Sequence, residues 1–492
     1  MTRPSSLDRL AAAMPLIIGV YFAVQVAVRV FISPSLGKDE AEQVLLAQEW
    51  AWGYGSQPPL YTWMAILLFR VFGEGVLALA LLKNLLLAGS YLLTYAAVRR
   101  MAQNNVVAAL AAASLLLLPE LAWESQRALT HSILVVFGSA LFTYAFVRVL
   151  QQGRAIDYAL LGLGFAVGCL AKFNFPIVAI AMILAALTMP GFRAAVATPR
   201  FLIAPAVSAA LLWQPAVWLI SNRDATLSRA HQLTMTQTDS PIMNYVSGVW
   251  GLAWGVGIFL ALLVVVYGVA LVRSAPGRSL DASAAQFAGV LMRSVGIALA
   301  LCVILIIAFE VTQIKDRWLQ PLLYLGPIIA ALWAYPRLAP WRVGAIFAVT
   351  GLCAATVIAL LVLRTVAGPS FDRPNPLNGP YGALSQQIRD AGFRNGRVFA
   401  AFNLLGGNIR LQFPDSVVIS PEYPNFKLPA SGKSLLIWDA TRGDPMPGKL
   451  VALYKKFSGK SVGGQAPKYV SAVMLHSDRH RLRLGVIVLP TP

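Results

Sequence analysis

Long runs of apolar residues alternate with short polar breaks along most of the chain. They recur near residues 11–32, 76–98, 105–119, 128–150, 158–171, 174–189, 200–220, 244–272, 294–311, 318–335 and 341–363. Each approaches the roughly 20 residues that carry an α-helix across the hydrocarbon core, so the pattern predicts an all-α polytopic membrane domain of about eleven spans. The division that decides parity is Lys172-Phe173-Asn174-Phe175-Pro176. If residues 158–189 form one broken segment instead of two spans, every later loop changes side. Arg3 and Arg9 precede the first run as they would in a signal peptide, but the run is too long and others follow, which favours a retained span.

Two regions break the pattern. Between the first two runs, residues 33–75 place apolar side chains at helical spacing over 39–52 and again over 59–72, with Trp50, Trp52, Tyr54, Tyr61 and Trp63 suited to a membrane interface. Two short interfacial helices are predicted, joined by a turn at Gly53-Tyr54-Gly55-Ser56-Gln57-Pro58-Pro59, where the prolines remove backbone donors. After Leu363 the apolar runs become short and prolines and glycines multiply. Residues 397–402, 416–419, 434–438 and 482–489 read as strands and 381–391 as a helix, which makes 364–492 a small α/β domain following a membrane domain over 1–363.

Composition sharpens this picture. With 58% hydrophobic and 12% charged residues in 492, the chain is not a soluble globular protein, in which about a quarter of residues are charged. The net charge of +19 invites nucleic acid as a partner, yet the cations are scattered singly between apolar runs, as contact with anionic membrane lipids requires. Arg99 and Arg100, Arg154, Arg193 and Arg200, Arg273 and Arg278, and Arg337 and Arg342 fall on alternate loops, the same side as Arg3 and Arg9. The excess of basic residues makes that side cytoplasmic, leaving the 33–75 loop, the Glu120–Arg127 loop, the Asn222–Pro241 loop, the Lys315–Arg317 turn and the C-terminal domain outside. Cys169, Cys302 and Cys353 lie within apolar runs and show neither disulfide nor zinc spacing.

Carboxylates at a membrane surface need a reason. Lys38-Asp39-Glu40-Ala41-Glu42 supplies three, just past the first span. One role is capping, since acids near a helix N-terminus meet unsatisfied amides; the other is catalysis, and the two residues can divide them. Lys172 is either a lysine snorkelling to the membrane edge or an anion ligand. Lys315-Asp316-Arg317-Trp318 is either a surface ion pair or a head-group-level anion site. His131 lacks a companion His or Cys at ligand spacing, so a divalent metal is not indicated and an interface hydrogen bond is the plainer role. No P-loop, dinucleotide fingerprint or nucleophile elbow occurs, and Gly162-Leu163-Gly164 lies inside a span, where small residues serve helix packing.

The acidic pair, the interfacial helix and the Pro58-Pro59-Leu60-Tyr61 turn resemble the first periplasmic loop of the GT-C glycosyltransferases related to protein mannosyltransferases and to the aminoarabinose and galacturonic acid transferases of lipid A. The likeness extends to the Trp218–Asp224 loop, the Asp316-Arg317-Trp318-Leu319-Gln320-Pro321 turn and the C-terminal periplasmic domain, covering roughly the first 340 residues. It implies an inner-membrane transferase that takes a sugar from a polyprenyl-phosphate carrier and gives it to an acceptor hydroxyl on the periplasmic side. In that scheme Asp39, with Glu40 beside it, matches the family's base, and Lys38, Arg127, Lys172, Lys315 and Arg317 are the cations available to the donor phosphate. Gln57 stands where the aminoarabinose enzymes carry a lysine, so another cation must serve. Thr130-His131-Ser132 replaces a second acid near the fourth span, which leaves Glu120, Glu124 or His131 to take that place. Gln57, Tyr61, Glu120, Glu124 and His131 thus line the expected donor or acceptor cavity, and Arg223, Arg229 and His231 belong to the loop that covers it in relatives.

A secondary transporter or polyprenyl-lipid flippase is the alternative. Transporters set ionisable residues on broken helices at mid-bilayer, whereas these acids gather at one outer surface. The tail from Arg364 carries seventeen Lys or Arg against seven Asp or Glu, which suits an anionic acceptor such as lipid A, core oligosaccharide or another envelope glycan.

Overall fold

The computed structural model describes residues 5–224, 234, 236–272, 280–424, 426–429, 432–443 and 445–490. In chain order its main helices are α1 (Ser6–Ile32), α2 (Lys38–Leu46), α3 (Leu60–Phe72), α4 (Val76–Ala102), α5 (Asn105–Ser114), α6 (His131–Gln151), α7 (Ala155–Cys169), α8 (Phe175–Leu187), α9 (Ile203–Ser221), α10 (Pro241–Leu271), α11 (Ala282–Phe309), α12 (Leu325–Ala334) and α13 (Pro340–Val366). Among the described residues seven helices are long and apolar enough to cross a membrane, or eight if the pair Asn105–Leu117 and Glu120–Arg127, bent by 78°, is one span.

The remaining apolar runs are short or broken, for identifiable reasons. Residues 158–189 divide into α7 and α8, of 15 and 13 residues. At 1.5 Å per residue each is only about 20 Å long, short of a core of roughly 30 Å. The break sits at Lys172-Phe173-Asn174, and Pro176 occupies the first turn of α8, where its missing amide costs nothing. The run at 318–335 becomes a 3-10 turn (Asp316–Trp318), a four-residue helix (Gln320–Leu323) and α12. The expected helix over 39–52 ends early, at Leu46, and Trp50 instead stacks on Trp63 with ring centres 5.2 Å apart.

The chain divides into two compact units. The first comprises residues up to Ala23, Trp52–Tyr61 and Lys83–Val357. Glycines let its helices touch. A Cβ on Gly138 would lie 2.9 Å from the Gly168 Cα, one on Gly164 the same distance from the Phe142 Cα, and one on Gly162 only 2.3 Å from the Ala204 carbonyl oxygen. Small residues at helix crossings are how membrane helices gain van der Waals contact without a hydrophobic drive. Hydroxyl pairs add to this: Thr94 with Tyr324 at 2.7 Å and Ser114 with Tyr267 at 2.8 Å.

The second unit joins Val24–Ala51, Thr62–Leu82 and the chain from Ile358 onward. Its C-terminal part contains α14 (Tyr381–Asp390), α15 (Asn403–Gln412) and α16 (Gly448–Ser458), with β1 (Gly396–Ala400), β2 (Val417–Ile419), β3 (Lys433–Asp439), β4 (Lys468–Val473) and β5 (Arg481–Leu489). The sheet order is β2-β1-β3-β5-β4, with β1 parallel to β2 and β3, and β5 antiparallel to β3 and β4. One face buries Leu384, Ile388, Leu405 and Ile409 of α14 and α15 against Val398, Leu435 and Ile437. The other buries Leu450, Leu453 and Tyr454 of α16 against Phe399, Leu436 and Trp438.

Residues 36–48 of the first loop are built into this α/β core. Leu45 of α2 joins the α15 face, and a Cβ on Gly407 would lie 2.3 Å from the Ala41 carbonyl oxygen, so α2 and α15 meet backbone to backbone. The Gln48 side chain accepts from the Val418 amide at 2.8 Å and donates to its carbonyl at 2.9 Å; Asn408 accepts from the Leu36 amide at 2.8 Å.

Candidate functional site

Within the first unit, polar side chains from three connections meet. Pro119 ends the α5 segment, and Glu120–Glu124 takes a single wide turn of π type, a form frequent at functional positions. The α7–α8 break supplies Lys172 and Asn174, and the turn before α12 supplies Asp316, Arg317 and Gln320. The Lys172 ammonium donates to the Arg317 carbonyl at 2.7 Å, and the Asn174 amide to the Trp318 carbonyl at 2.6 Å. The fully buried Gln320 donates to Glu120 Oε2 at 3.2 Å.

Electrostatics tie these groups together. Burial raises the Glu120 carboxyl above its ordinary range, and Glu124 and Asp316 add to this, while Lys172 and Arg317 oppose it. Burial and then the Arg317 guanidinium pull Lys172 down to about 7, against the support of Glu120. A lysine poised between charged and neutral gains its proton when an anion arrives. The Gln320 and Asn174 side-chain oxygens are buried with no protein partner, an arrangement a bound hydroxyl would satisfy.

The other expected residues divide between the units. In the first, Arg127 pairs with Glu124, Lys315 lies over the Trp318 ring at 5.6 Å, and the buried His131 packs against Tyr61 with ring centres 5.6 Å apart. Gln57 closes a turn with Tyr54 through backbone bonds of 3.2 and 3.3 Å, possible because Gly55 takes φ +62°. Arg223 is exposed just past α9, whereas Arg229 and His231 lie outside the described residues. In the second unit Glu40 is buried; it accepts from the Gly37 amide at 2.8 Å and pairs with Arg29 at 2.5 Å, so it caps α2 and neutralises a cation. Asp39, half-buried, and Lys38, exposed, share that first turn, and Glu42 bonds the Tyr423 hydroxyl. Among the described residues no three His, Cys, Asp or Glu side chains are grouped to hold a metal ion.

Over 87% of its length the chain is 31% identical to the lipopolysaccharide core galacturonosyltransferase RgtB of Rhizobium johnstonii, and the match spans 87% of that protein. The chain belongs to the protein mannosyltransferase and lipid A sugar transferase family of GT-C glycosyltransferases. The transferase is also 32% identical to the core galacturonosyltransferase RgtA of the same organism, over 86% of each. Residues 56–218 match the family described as dolichyl-phosphate-mannose-protein mannosyltransferase. Its fold is that of ArnT from Cupriavidus metallidurans, whose structure bound to undecaprenyl phosphate superposes with a TM-score of 0.61 at 13% identity, covering 96% of this chain and 97% of that one. The transferase is therefore a multi-pass protein of the bacterial inner membrane.

Lys83 is a further polar residue of this region, outside the loops that the sequence pattern points to. It sits inside α4, 3% exposed, and donates to the carbonyls of Ala128 at 2.9 Å and Gln126 at 3.3 Å, holding the end of the Glu120–Arg127 segment. The signal was present in the sequence, because an ionisable residue inside a span marks a functional or pairing role by default. Gln320 and Asn174 carry no charge, so the sequence marks them only as members of the Asp316-to-Pro321 turn and the Lys172-to-Pro176 break.

Proposed function

We propose that the transferase moves a uronic acid from a polyprenyl-phosphate carrier to a hydroxyl of lipopolysaccharide core or a related envelope glycan, on the periplasmic side. The convergence of Lys172, Arg317, Glu120 and Gln320 from three separate loops supports the reading. Two cations suit a departing phosphate and the buried amides suit sugar hydroxyls, the combination that electrostatic stabilisation of a leaving phosphate requires. Lys38, Arg127 and Lys315 are further candidate phosphate ligands. Asp39 acts as general base on the acceptor hydroxyl, with Glu40 fixing the helix that carries it. The topology that suits this chemistry has a cytoplasmic N-terminus and a periplasmic segment from 364 onward, with residues 1–363 carrying the reaction. The two relatives, both named as lipopolysaccharide core galacturonosyltransferases, favour this sugar and this acceptor.

Reconstituting the purified transferase with polyprenyl-phosphate galacturonate and core oligosaccharide tests the assignment. Mass spectrometry should find one added uronate per acceptor, lost with Lys172→Met. Transfer to a neutral polypeptide, or none to the oligosaccharide, refutes it.

A further inference from the structure

In an open sheet with parallel strands, ligands bind outside the carboxyl ends of the strands, where neighbouring strands send their chains to opposite faces. The C-terminal sheet has one such place. Strand β1 lies between β2 and β3 and is parallel to both. Leaving β1 the chain enters α15, packed on one face; leaving β3 it enters α16, packed on the other. The two connections diverge at Ala400 and Asp439, and a gap opens between them.

A cleft of about 520 Å³ occupies that gap. Its lining includes Phe402 from the β1 exit, Asp439, Thr441 and Arg442 from the β3 exit, and Met474 and Leu482 from the β4–β5 hairpin. The volume lies in the range of small-ligand sites. The Asp439 carboxylate accepts from the Thr441 amide at 2.8 Å, which fixes the carboxylate at the rim. Half-buried Phe402 contributes an aromatic side chain to the lining, and Arg442, also in the lining, is exposed.

We infer that this cleft binds a saccharide unit bearing an acidic group. The pieces suit that chemistry separately. A carboxylate accepts from vicinal hydroxyls, an aromatic face packs against the C–H face of a pyranose, and a guanidinium reads a carboxylate in a planar, two-pronged fashion. All lining residues belong to the C-terminal segment, and none is among those assigned above to sugar transfer. The site is a second glycan contact, independent of the chemistry at Lys172 and of the assignment of donor and acceptor.

Calorimetric titration of the full chain in nanodiscs with D-galacturonate, and with D-galactose as the neutral comparison, tests the inference. Galacturonate should bind saturably and galactose about tenfold more weakly, the scale of one charge-assisted contact. Arg442→Gln should bring galacturonate down to the level of galactose. Asp439→Asn keeps the Thr441 contact through its amide oxygen and should abolish both. Lys172→Met, at the proposed transfer site, should leave the titration unchanged. Because Asp439 and Arg442 are exposed, neither variant threatens folding, and an unaltered melting temperature verifies this. Absence of saturable galacturonate binding, equal binding of the two sugars, or binding that survives both cleft variants overturns the inference.

Discussion

Lys172 provides a test in which pH itself is the perturbation. Burial and Arg317 hold its ammonium at about 7, against the ordinary 10.5. The unfolded chain therefore binds the extra proton between those values and the folded one does not, so this residue's contribution to stability rises with pH across that window. Binding of an anionic phosphate has the opposite sign. The bound state restores the charge, so a proton is taken up and affinity falls as pH rises above about 7. A full unit costs up to about 1.4 kcal/mol, or tenfold. Donor affinity should thus drop about tenfold between pH 7.5 and 8.5 and level off below about pH 6.5. Equilibrium binding of a polyprenyl-phosphate sugar to the transferase in nanodiscs measures this cleanly, because the phosphodiester keeps one charge throughout. Lys172→Arg, permanently charged, should remove the slope while retaining affinity; Lys172→Met should be weak and flat at every pH. A wild-type profile with no slope, or the same slope in Lys172→Arg, would refute the placement of the donor phosphate at this lysine.

Asp39→Asn should lower transfer about 10²- to 10⁴-fold with normal membrane insertion, read by turnover of reconstituted protein; near-normal turnover removes Asp39 as base. Arg29→Met leaves the buried Glu40 without its cation and should cost about 3–5 kcal/mol, seen as a fall in the melting temperature of the protein. Gly407→Val forces a side chain into the Ala41 carbonyl and should cost at least 1–3 kcal/mol, exposing residues 38–46 to limited proteolysis. Gln320→Leu removes the bond to Glu120 and a buried amide oxygen; in steady-state kinetics the Michaelis constant for the donor should rise about tenfold.

The membrane fold was legible because a span is specified locally: a sufficient length of apolar residues buries itself in lipid whatever its neighbours do. The strands β1, β2, β3 and β5 were legible for a similar reason, their apolar residues being clustered between turns. β4 was not, because Lys468-Tyr469-Val470-Ser471-Ala472-Val473 buries only alternate side chains at an edge. The breaks between apolar runs already set Glu120, Lys172, Asp316 and Arg317 in connections, but the local pattern could not assign their partners. Glu40 became a structural carboxylate only because α1 brings Arg29 beside it. Lys172, Glu120 and Arg317 became one electrostatic group only because three loops far apart in sequence fold to the same place. Those pairings depend on long-range packing, on glycines that admit a neighbouring backbone and on the depth at which each charge is buried, and none of these is a property of a local stretch of chain.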